Sequence, residues 1–152
     1  MISQGRAADE LAEEATRRSN LHVLPFQPWG DVASILGSAT VLLAVLAPQA
    51  AAYSVPSKVL TYLCAGRPIV ASVSPHNLAA HHIREADGGI VVEPHDLDGF
   101  GAAVEAIFTD PAEQVRLGKN ARHWAEHTFD IDRITDRFTT LIAAAAQRDR
   151  SA

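Results

Sequence analysis

The sequence predicts an α/β fold in which a Rossmann-like parallel sheet has helices on both sides and is followed by further helices at the C-terminal end. Two observations support this. Short apolar runs alternate along the chain with segments of helical periodicity, the order that parallel sheets require. The chain has 152 residues and is 47% hydrophobic, which suits one domain with a sizeable core. We expect this domain over residues 1–147 and a frayed tail over residues 148–152.

The strands are predicted from apolar runs and from the residues that end them. Pro25 and Pro28 end the first run, because proline lacks the amide that a continuing strand needs. The second run is continuous and aliphatic, which is typical of a strand covered on both faces. The predicted strands span residues 21–26, 40–46, 69–73 and 90–92.

The helices are predicted from periodicity and from capping residues. Asp110 followed by Pro111 is a strong helix start, with aspartate as the N-cap and proline at the first helical position. Gly66 allows a left-handed exit from the helix before it, and we expect Arg67 to interact with the last carbonyls of that helix. The predicted helices span residues 6–18, 31–36, 57–65, 76–86, 97–108, 111–127 and 131–146.

Composition argues against several classes of protein. The net charge is −5, and the two lysines, Lys58 and Lys119, lie far apart, so nucleic acid is not an expected partner. The single cysteine, Cys64, excludes an internal disulfide and is expected to be an inert thiol among apolar neighbours. No apolar run approaches the roughly 20 residues that span a bilayer. We expect a cytoplasmic protein whose contact with a membrane is peripheral at most.

The histidines do not predict a metal site. His123 and His127 lie four apart on one predicted helix, and His76, His81 and His82 cluster on another. Zinc needs three or four converging ligands, and no cysteine partner or acidic motif completes either group. We therefore expect neither a metal ion nor another cofactor.

A ligand site is expected at the loops that follow the strands, because parallel sheets bind ligands at the carboxyl ends of their strands. The most informative loop leads into the predicted helix at residues 57–65. Pro56 fixes the chain as it enters the helix, and Ser57 can cap the helix or place its hydroxyl outward. The free amides of the first helical turn carry partial positive charge, which suits a phosphate, and Lys58 adds a full charge there.

Residues 53–70 resemble the donor-binding signature of the family 4 retaining glycosyltransferases of the GT-B fold. The likeness is to the branch with a Pro-Ser-Lys helix start, found in exopolysaccharide and O-antigen assembly enzymes. Three further segments resemble the branch in the same order along the chain. Residues 20–29 resemble its loop before the donor base, and residues 86–96 resemble its closing glycine-strand-proline-aspartate pattern. Residues 117–129 resemble its late helix. The likeness runs from Gly5 to Leu141, and the set of motifs is specific.

The resemblance implies that the chain is the C-terminal, donor-binding half of such an enzyme. A sugar would pass from a nucleoside diphosphate to a glycan or lipid-linked acceptor, with retention at the anomeric carbon. The donor base would lie near Phe26 and Gln27. The diphosphate would lie near Ser57 and Lys58, whose charge would offset the charge that develops on the departing diphosphate. The remaining implied donor contacts are Ser54, Val55 and Thr61, and no catalytic residue is implied in this chain.

Two departures from the family pattern bear on activity. Many members carry two glutamates eight residues apart, and Tyr53 and Thr61 stand at those positions here. The family also has an N-terminal acceptor domain and an opening strand and helix of the donor domain, which precede the position of Gly5. We expect that the isolated chain does not transfer sugar, and that its partner is an N-terminal half-domain or a second copy.

Two other functions remain open. One is a non-catalytic nucleotide-binding or assembly module, a degenerate remnant that pairs with other chains, which the absent glutamates favour. The other is a different GT-B enzyme such as a nucleotide-sugar epimerase, which fits the fold but explains the Pro-Ser-Lys segment less well.

Overall fold

The computed structural model describes residues 1–46 and 57–149. The chain divides into two compact units, residues 1–38 and residues 39–152, and each is described by itself. The boundary of one domain at residue 147 stays a prediction.

The first unit contains two helices joined by extended chain. Helix α1 spans Arg6–Ala15, a 3-10 turn spans Trp29–Asp31, and helix α2 spans Val32–Gly37. Gly5 precedes α1 with a φ of 94°, a backbone conformation that glycine adopts without steric cost.

The predicted strand at residues 21–26 is wrong. Leu24 forms only an isolated parallel bridge with Ile2, in which the Leu24 amide donates to the Met1 carbonyl at 2.8 Å and the Ser3 amide donates to the Leu24 carbonyl at 3.0 Å. The pairing stays short because the chain turns into α1 at Gly5, and because Pro25 offers no amide beyond the bridge.

The second unit is built on a parallel sheet of three strands. Strand β1 spans Leu42–Val45, β2 spans Ile69–Ser72 and β3 spans Gly89–Val92, in the spatial order β1-β2-β3. Gly89 opens β3 opposite Ile69, and a β-carbon at residue 89 would lie 1.9 Å from the Ile69 carbonyl oxygen. Only glycine permits this close approach of the two backbones.

In the described part of the second unit, five helices accompany the sheet. They are α3 (Ser57–Ala65), α4 (Leu78–Glu85), α5 (Leu97–Phe108), α6 (Pro111–Thr128) and α7 (Ile131–Asp149). The predicted cap at α6 is confirmed, since the Asp110 carboxylate accepts from the amides of Ala112 and Glu113, each at 3.0 Å. Helix α4 begins two residues later than predicted because Asn77 caps it, accepting from the Ala79 amide at 2.9 Å. Within the described ranges, no helix is long and apolar enough to cross a membrane.

Two hydrophobic cores lie on the two faces of the sheet, because successive side chains of a strand point to opposite faces. Ile69 and Ala71 pack with buried residues of α3, α4 and α6, including Leu63 and Ile83. Val70 packs into the other core. The residues of that second core are Val70, Val92, Ala103, Ile107 and Leu117. The prediction of helices on both sides of a parallel sheet is therefore confirmed.

Strand β1 differs from its prediction because only one of its faces is covered. Leu42 and Ala44 are 8% and 1% exposed, whereas Leu43 and Val45 are 47% and 68% exposed. The reason is position: β1 is an edge strand of the described sheet, and α5, which covers the second face, packs on β2 and β3. Leu43 and Val45 therefore present apolar side chains to solvent.

Candidate functional site

The N-terminal turn of α3 lies at the carboxyl edge of the sheet. The last residue of α3, Ala65, lines one groove with Thr40 and Pro68, which precede β1 and β2. The C-terminal end of α3 is therefore at the amino edge of the sheet. A helix of this length and a four-residue strand each span about 13 Å. The helix start consequently reaches the opposite edge, where parallel sheets bind ligands.

Ser57 and Lys58 occupy this helix start, and both are exposed. Val59 and Leu63 are fully buried against the sheet and fix the helix in place. Lys58 has no carboxylate or hydrogen-bond partner among the residues that the structure describes. The first amides of a helix have no partner within the helix and carry partial positive charge. The turn therefore offers backbone donors and an ammonium group to an anion.

Thr61 lies one turn further along α3 and is also exposed. Its hydroxyl donates to the Ser57 carbonyl at 3.4 Å, because residues four apart lie on the same face of a helix. The structure therefore brings together three of the predicted donor contacts, Ser57, Lys58 and Thr61.

The other predicted donor contacts lie in the first unit or outside the described residues. Phe26 is exposed, and the Gln27 side-chain amide donates to the Pro25 carbonyl at 2.9 Å, all within the first unit. Ser54 and Val55 lie outside the described residues, so their assignment stays a prediction.

The loop after β2 is held mainly by local hydrogen bonds. The Arg84 guanidinium donates to the Pro75 carbonyl at 2.9 Å, and the His76 amide donates to the Ser74 hydroxyl at 3.4 Å. Asn77 is buried at the start of α4. These contacts order the loop at the same edge of the sheet as the start of α3.

The loop after β3 contains a residue that the sequence analysis did not single out. His95 is exposed and has a φ of 80°, in the left-handed region that non-glycine residues seldom adopt. The next residue, Asp96, caps α5 by accepting from the Gly99 amide at 2.8 Å. This carboxylate is therefore committed to the helix cap, and no sequence pattern indicated the backbone conformation of His95.

A groove of about 470 Å³ lies at the opposite, amino edge of the sheet. Its charged lining residues are Arg67, Lys119, Arg122 and Glu126. The Arg122 guanidinium donates to the Cys64 carbonyl at 2.8 Å and pairs with Glu126 at 2.7 Å. The prediction that Arg67 caps α3 was wrong, because Arg122 reaches a carbonyl of the last turn instead.

The Cys64 thiol is half-buried beside this contact. Burial raises the pKa of Cys64, and the positive charge of Arg122 lowers that pKa to a smaller extent. A raised pKa disfavours the thiolate, the reactive form of cysteine. The environment is consistent with the predicted inert thiol.

Two comparisons with known proteins give matches. The chain matches the family described as "Glycosyl transferases group 1" over residues 5–124, most of its length. Its fold is similar to the crystal structure of WaaG, a glycosyltransferase involved in lipopolysaccharide biosynthesis, with a TM-score of 0.66 and 25% sequence identity. This similarity covers 82% of the present chain and 32% of the WaaG chain. Among curated proteins, none matches significantly.

These findings agree with the parallel sheet and its flanking helices. The resemblance noted in the sequence is confirmed at the level of a GT-B glycosyltransferase. The chain belongs to the group 1 glycosyltransferase family.

Proposed function

We propose that this chain is the donor-binding half of a family 4 retaining glycosyltransferase of the Pro-Ser-Lys branch. It would bind a nucleoside-diphosphate sugar for transfer to a glycan or lipid-linked acceptor. The observation that carries the proposal is the exposed ammonium of Lys58, which has no partner in the described part of the chain. Lys58 lies at the start of α3, at the carboxyl edge of the sheet of a group 1 glycosyltransferase chain.

The chemistry of this edge suits a pyrophosphate. The amides at the start of α3 and the Lys58 ammonium would hold the diphosphate and offset the charge that grows on it as the sugar departs. The Ser57 hydroxyl would donate to a diphosphate oxygen. The Thr61 hydroxyl, which donates to the Ser57 carbonyl, would accept from a ribose hydroxyl in the role of the absent ribose-binding glutamate. Phe26 and Gln27 would contact the base, and Ser54 and Val55 would line the approach to α3.

The experiment is isothermal titration of the chain with a panel of nucleoside diphosphates and, in parallel, with the corresponding nucleosides. Lys58→Ala is expected to weaken diphosphate binding by about ten-fold, the effect of losing about 1.4 kcal/mol. It should leave nucleoside binding unchanged. Lys119→Ala is a matched control, because Lys119 is the only other lysine and lines the groove at the opposite edge.

Two results would contradict the proposal. One is the absence of diphosphate binding by folded chain. The other is a loss of affinity in Lys119→Ala with none in Lys58→Ala, which would move the anion to the groove at the amino edge.

We further propose that an acceptor-binding half completes the enzyme and that it docks on α7. The large apolar residues of α7 fall within about one third of the helix circumference, and four of them are 63–70% exposed. These four are Ile131, Phe138, Leu141 and Ile142, and Ile134 is half-buried. The chain covers 32% of the WaaG chain, so most of a full-length transferase is available to cover this face. A lipid-linked acceptor would give the assembled cytoplasmic enzyme a peripheral contact with the membrane.

The isolated chain is expected to have no transferase activity. The assay is sugar release from a nucleotide-sugar donor by purified chain, in the presence and absence of a polypeptide that carries the N-terminal half of a related enzyme. Turnover by the chain alone would contradict the requirement for an acceptor half.

A second candidate function is a non-catalytic assembly module. It is favoured by Tyr53 and Thr61 in place of two carboxylates and by the exposed Leu43 and Val45 on β1. Sedimentation and the titration above separate the two functions. Self-association without diphosphate binding would favour the assembly module, whereas diphosphate binding that depends on Lys58 would favour the transferase.

A further inference from the structure

We propose that His81, His82 and Glu85, in the last half of α4, bind one first-row divalent metal ion such as Zn²⁺. Each residue offers one ligand atom, and the three atoms lie within 4.8 Å of one another. Over residues 1–46 and 57–149, this is the one group in which three such side chains converge to this degree. The site is separate from the anion-binding turn of α3.

The distances are close to those around a bound metal ion. The Nδ1 atoms of His81 and His82 lie 3.8 Å and 3.9 Å from the same carboxylate oxygen of Glu85. Ligand atoms around a tetrahedral zinc ion, with bonds of about 2.1 Å, lie about 3.4 Å apart. Rotations of the exposed His81 and Glu85 side chains would bring their ligand atoms toward that separation around the fixed His82 ring. The i, i+3 and i, i+4 spacings keep Glu85 on the same side of the helix as both histidines.

The negative charge of the Glu85 carboxylate suits the binding of a cation. The Glu85 carboxylate has no lysine or arginine partner among the described residues, and its neighbour Arg84 donates to the Pro75 carbonyl instead. The His82 Nδ1 atom is shielded from solvent and has no hydrogen-bond partner in the described structure. A positive ion placed between His82 Nδ1 and the Glu85 carboxylate would give both groups a partner.

The ring of His82 is positioned by a neighbouring helix. It packs on Trp124 of α6 with ring centroids 5.1 Å apart, and Trp124 meets Phe129 edge-on at 5.7 Å. Contacts of this kind restrict the rotation of a metal-binding imidazole and raise affinity. Metal binding would therefore stabilise the packing of α4 against α6.

The ligand types define the class of ion. Two imidazoles and one carboxylate suit Zn²⁺ and its first-row neighbours, and three protein ligands leave a further position for water. From sequence, His76, His81 and His82 were not expected to bind a metal ion, because no cysteine partner or acidic motif completes their group. The missed signal is Glu85, four residues after His81 and three after His82.

The experiment is calorimetric titration of the full chain with Zn²⁺ at mildly alkaline pH, where imidazoles are neutral. One ion per chain is expected. Affinity should fall by at least about ten-fold in His82→Phe, which keeps a ring against Trp124, and in Glu85→Gln. His123→Ala is a matched control, because His123 is exposed and belongs to the other histidine pair. Its affinity should equal that of the wild type.

Thermal unfolding gives an independent measurement. Zn²⁺ should raise the melting temperature of the wild type and of His123→Ala, because an ion that binds only the folded state stabilises it. The rise should disappear in Glu85→Gln, whose exposed side chain can change without disturbing the core. The proposal is overturned by absence of Zn²⁺ binding to folded chain, by unchanged affinity in both ligand variants, or by loss of binding in His123→Ala.

Discussion

Gly118 of α6 lies directly against Gly66 at the end of α3: a β-carbon at residue 118 would be 2.6 Å from the Gly66 carbonyl oxygen. Gly66 has a φ of 64°, so the chain leaves α3 in the left-handed conformation that the sequence predicted. One turn further along α6, Arg122 donates to the Cys64 carbonyl. Helix α6 therefore holds the C-terminal end of the helix whose first turn carries Lys58.

The first prediction concerns this close approach. Gly118→Ala should lower the free energy of unfolding by about 1–3 kcal/mol, because the added methyl group must push two backbones apart. Gly101→Ala in α5 is the control, since a β-carbon there meets nothing within 4 Å. Alanine is the better helix former, so this variant should gain about 0.5–1 kcal/mol. Chemical denaturation measures both values, and equal stability of Gly118→Ala and the wild type would disprove the contact.

The second prediction concerns acid stability. Arg116 donates to the carboxylates of Asp87 and Glu113 and lowers the pKa of both. The pKa of such a carboxyl group is lower in the folded chain than in the unfolded chain, where it is about 4. The group therefore stabilises the fold at a pH above the unfolded pKa. This stabilisation is lost as the pH falls through the folded pKa. Asp87→Asn should therefore be slightly less stable than the wild type at neutral pH and equally stable in acid.

Urea denaturation over a pH series tests this, with Glu105→Gln as an exposed control that forms no ion pair within the described structure. Salt should reduce the effect, because these side chains are exposed. A difference between Asp87→Asn and the wild type that persists or grows in acid would rule out the assigned ion pair. Asparagine is the suitable replacement because Asp87 has a φ of 44°, which asparagine tolerates.

The third prediction uses the single cysteine. Burial raises the pKa of Cys64, so less thiolate is present at a given pH and the side chain is also shielded. Alkylation by iodoacetamide should be at least about ten-fold slower in the folded chain than in urea-unfolded chain. Mass spectrometry of the intact chain follows the reaction without ambiguity. Equal rates would show that the thiol is not protected.

The fourth prediction concerns the exposed face of α7. Replacing Phe138 and Leu141 together by glutamine should leave the free energy of unfolding within about 0.5 kcal/mol of the wild type, because neither side chain is buried. Self-association of the isolated chain should weaken, as measured by sedimentation velocity at several concentrations. Thr139→Gln, another exposed position on the same helix, should behave like the wild type. If all three proteins associate equally, the α7 face is not the contact surface.

Features set by local chemistry were predicted from sequence. Asp110 caps α6 because its carboxylate reaches amides two and three residues away, and Gly66 ends α3 because glycine tolerates the left-handed conformation. The start of α3 at Ser57 was predicted in the same way. The prediction of Lys58 as an exposed cation at the carboxyl edge of the sheet needed only this helix start and the parallel sheet.

Features that depend on distant segments were not predicted. The apolar run of β1 indicates a strand but does not reveal that nothing in the described structure covers Leu43 and Val45. The arginine that meets the end of α3 is Arg122, 58 residues from Cys64 in the chain, and not the adjacent Arg67. The proposed roles of Phe26 and Gln27 stay predictions, because the described contacts of Gln27 are local ones within the first unit.

The uncovered face of β1 and the apolar face of α7 also have a thermal consequence. Association between such surfaces is driven by the release of ordered water, and this driving force weakens on cooling. The isolated chain should therefore separate into single copies in the cold and assemble on warming. Both the temperature and the concentration should therefore change the fraction of the chain that is associated.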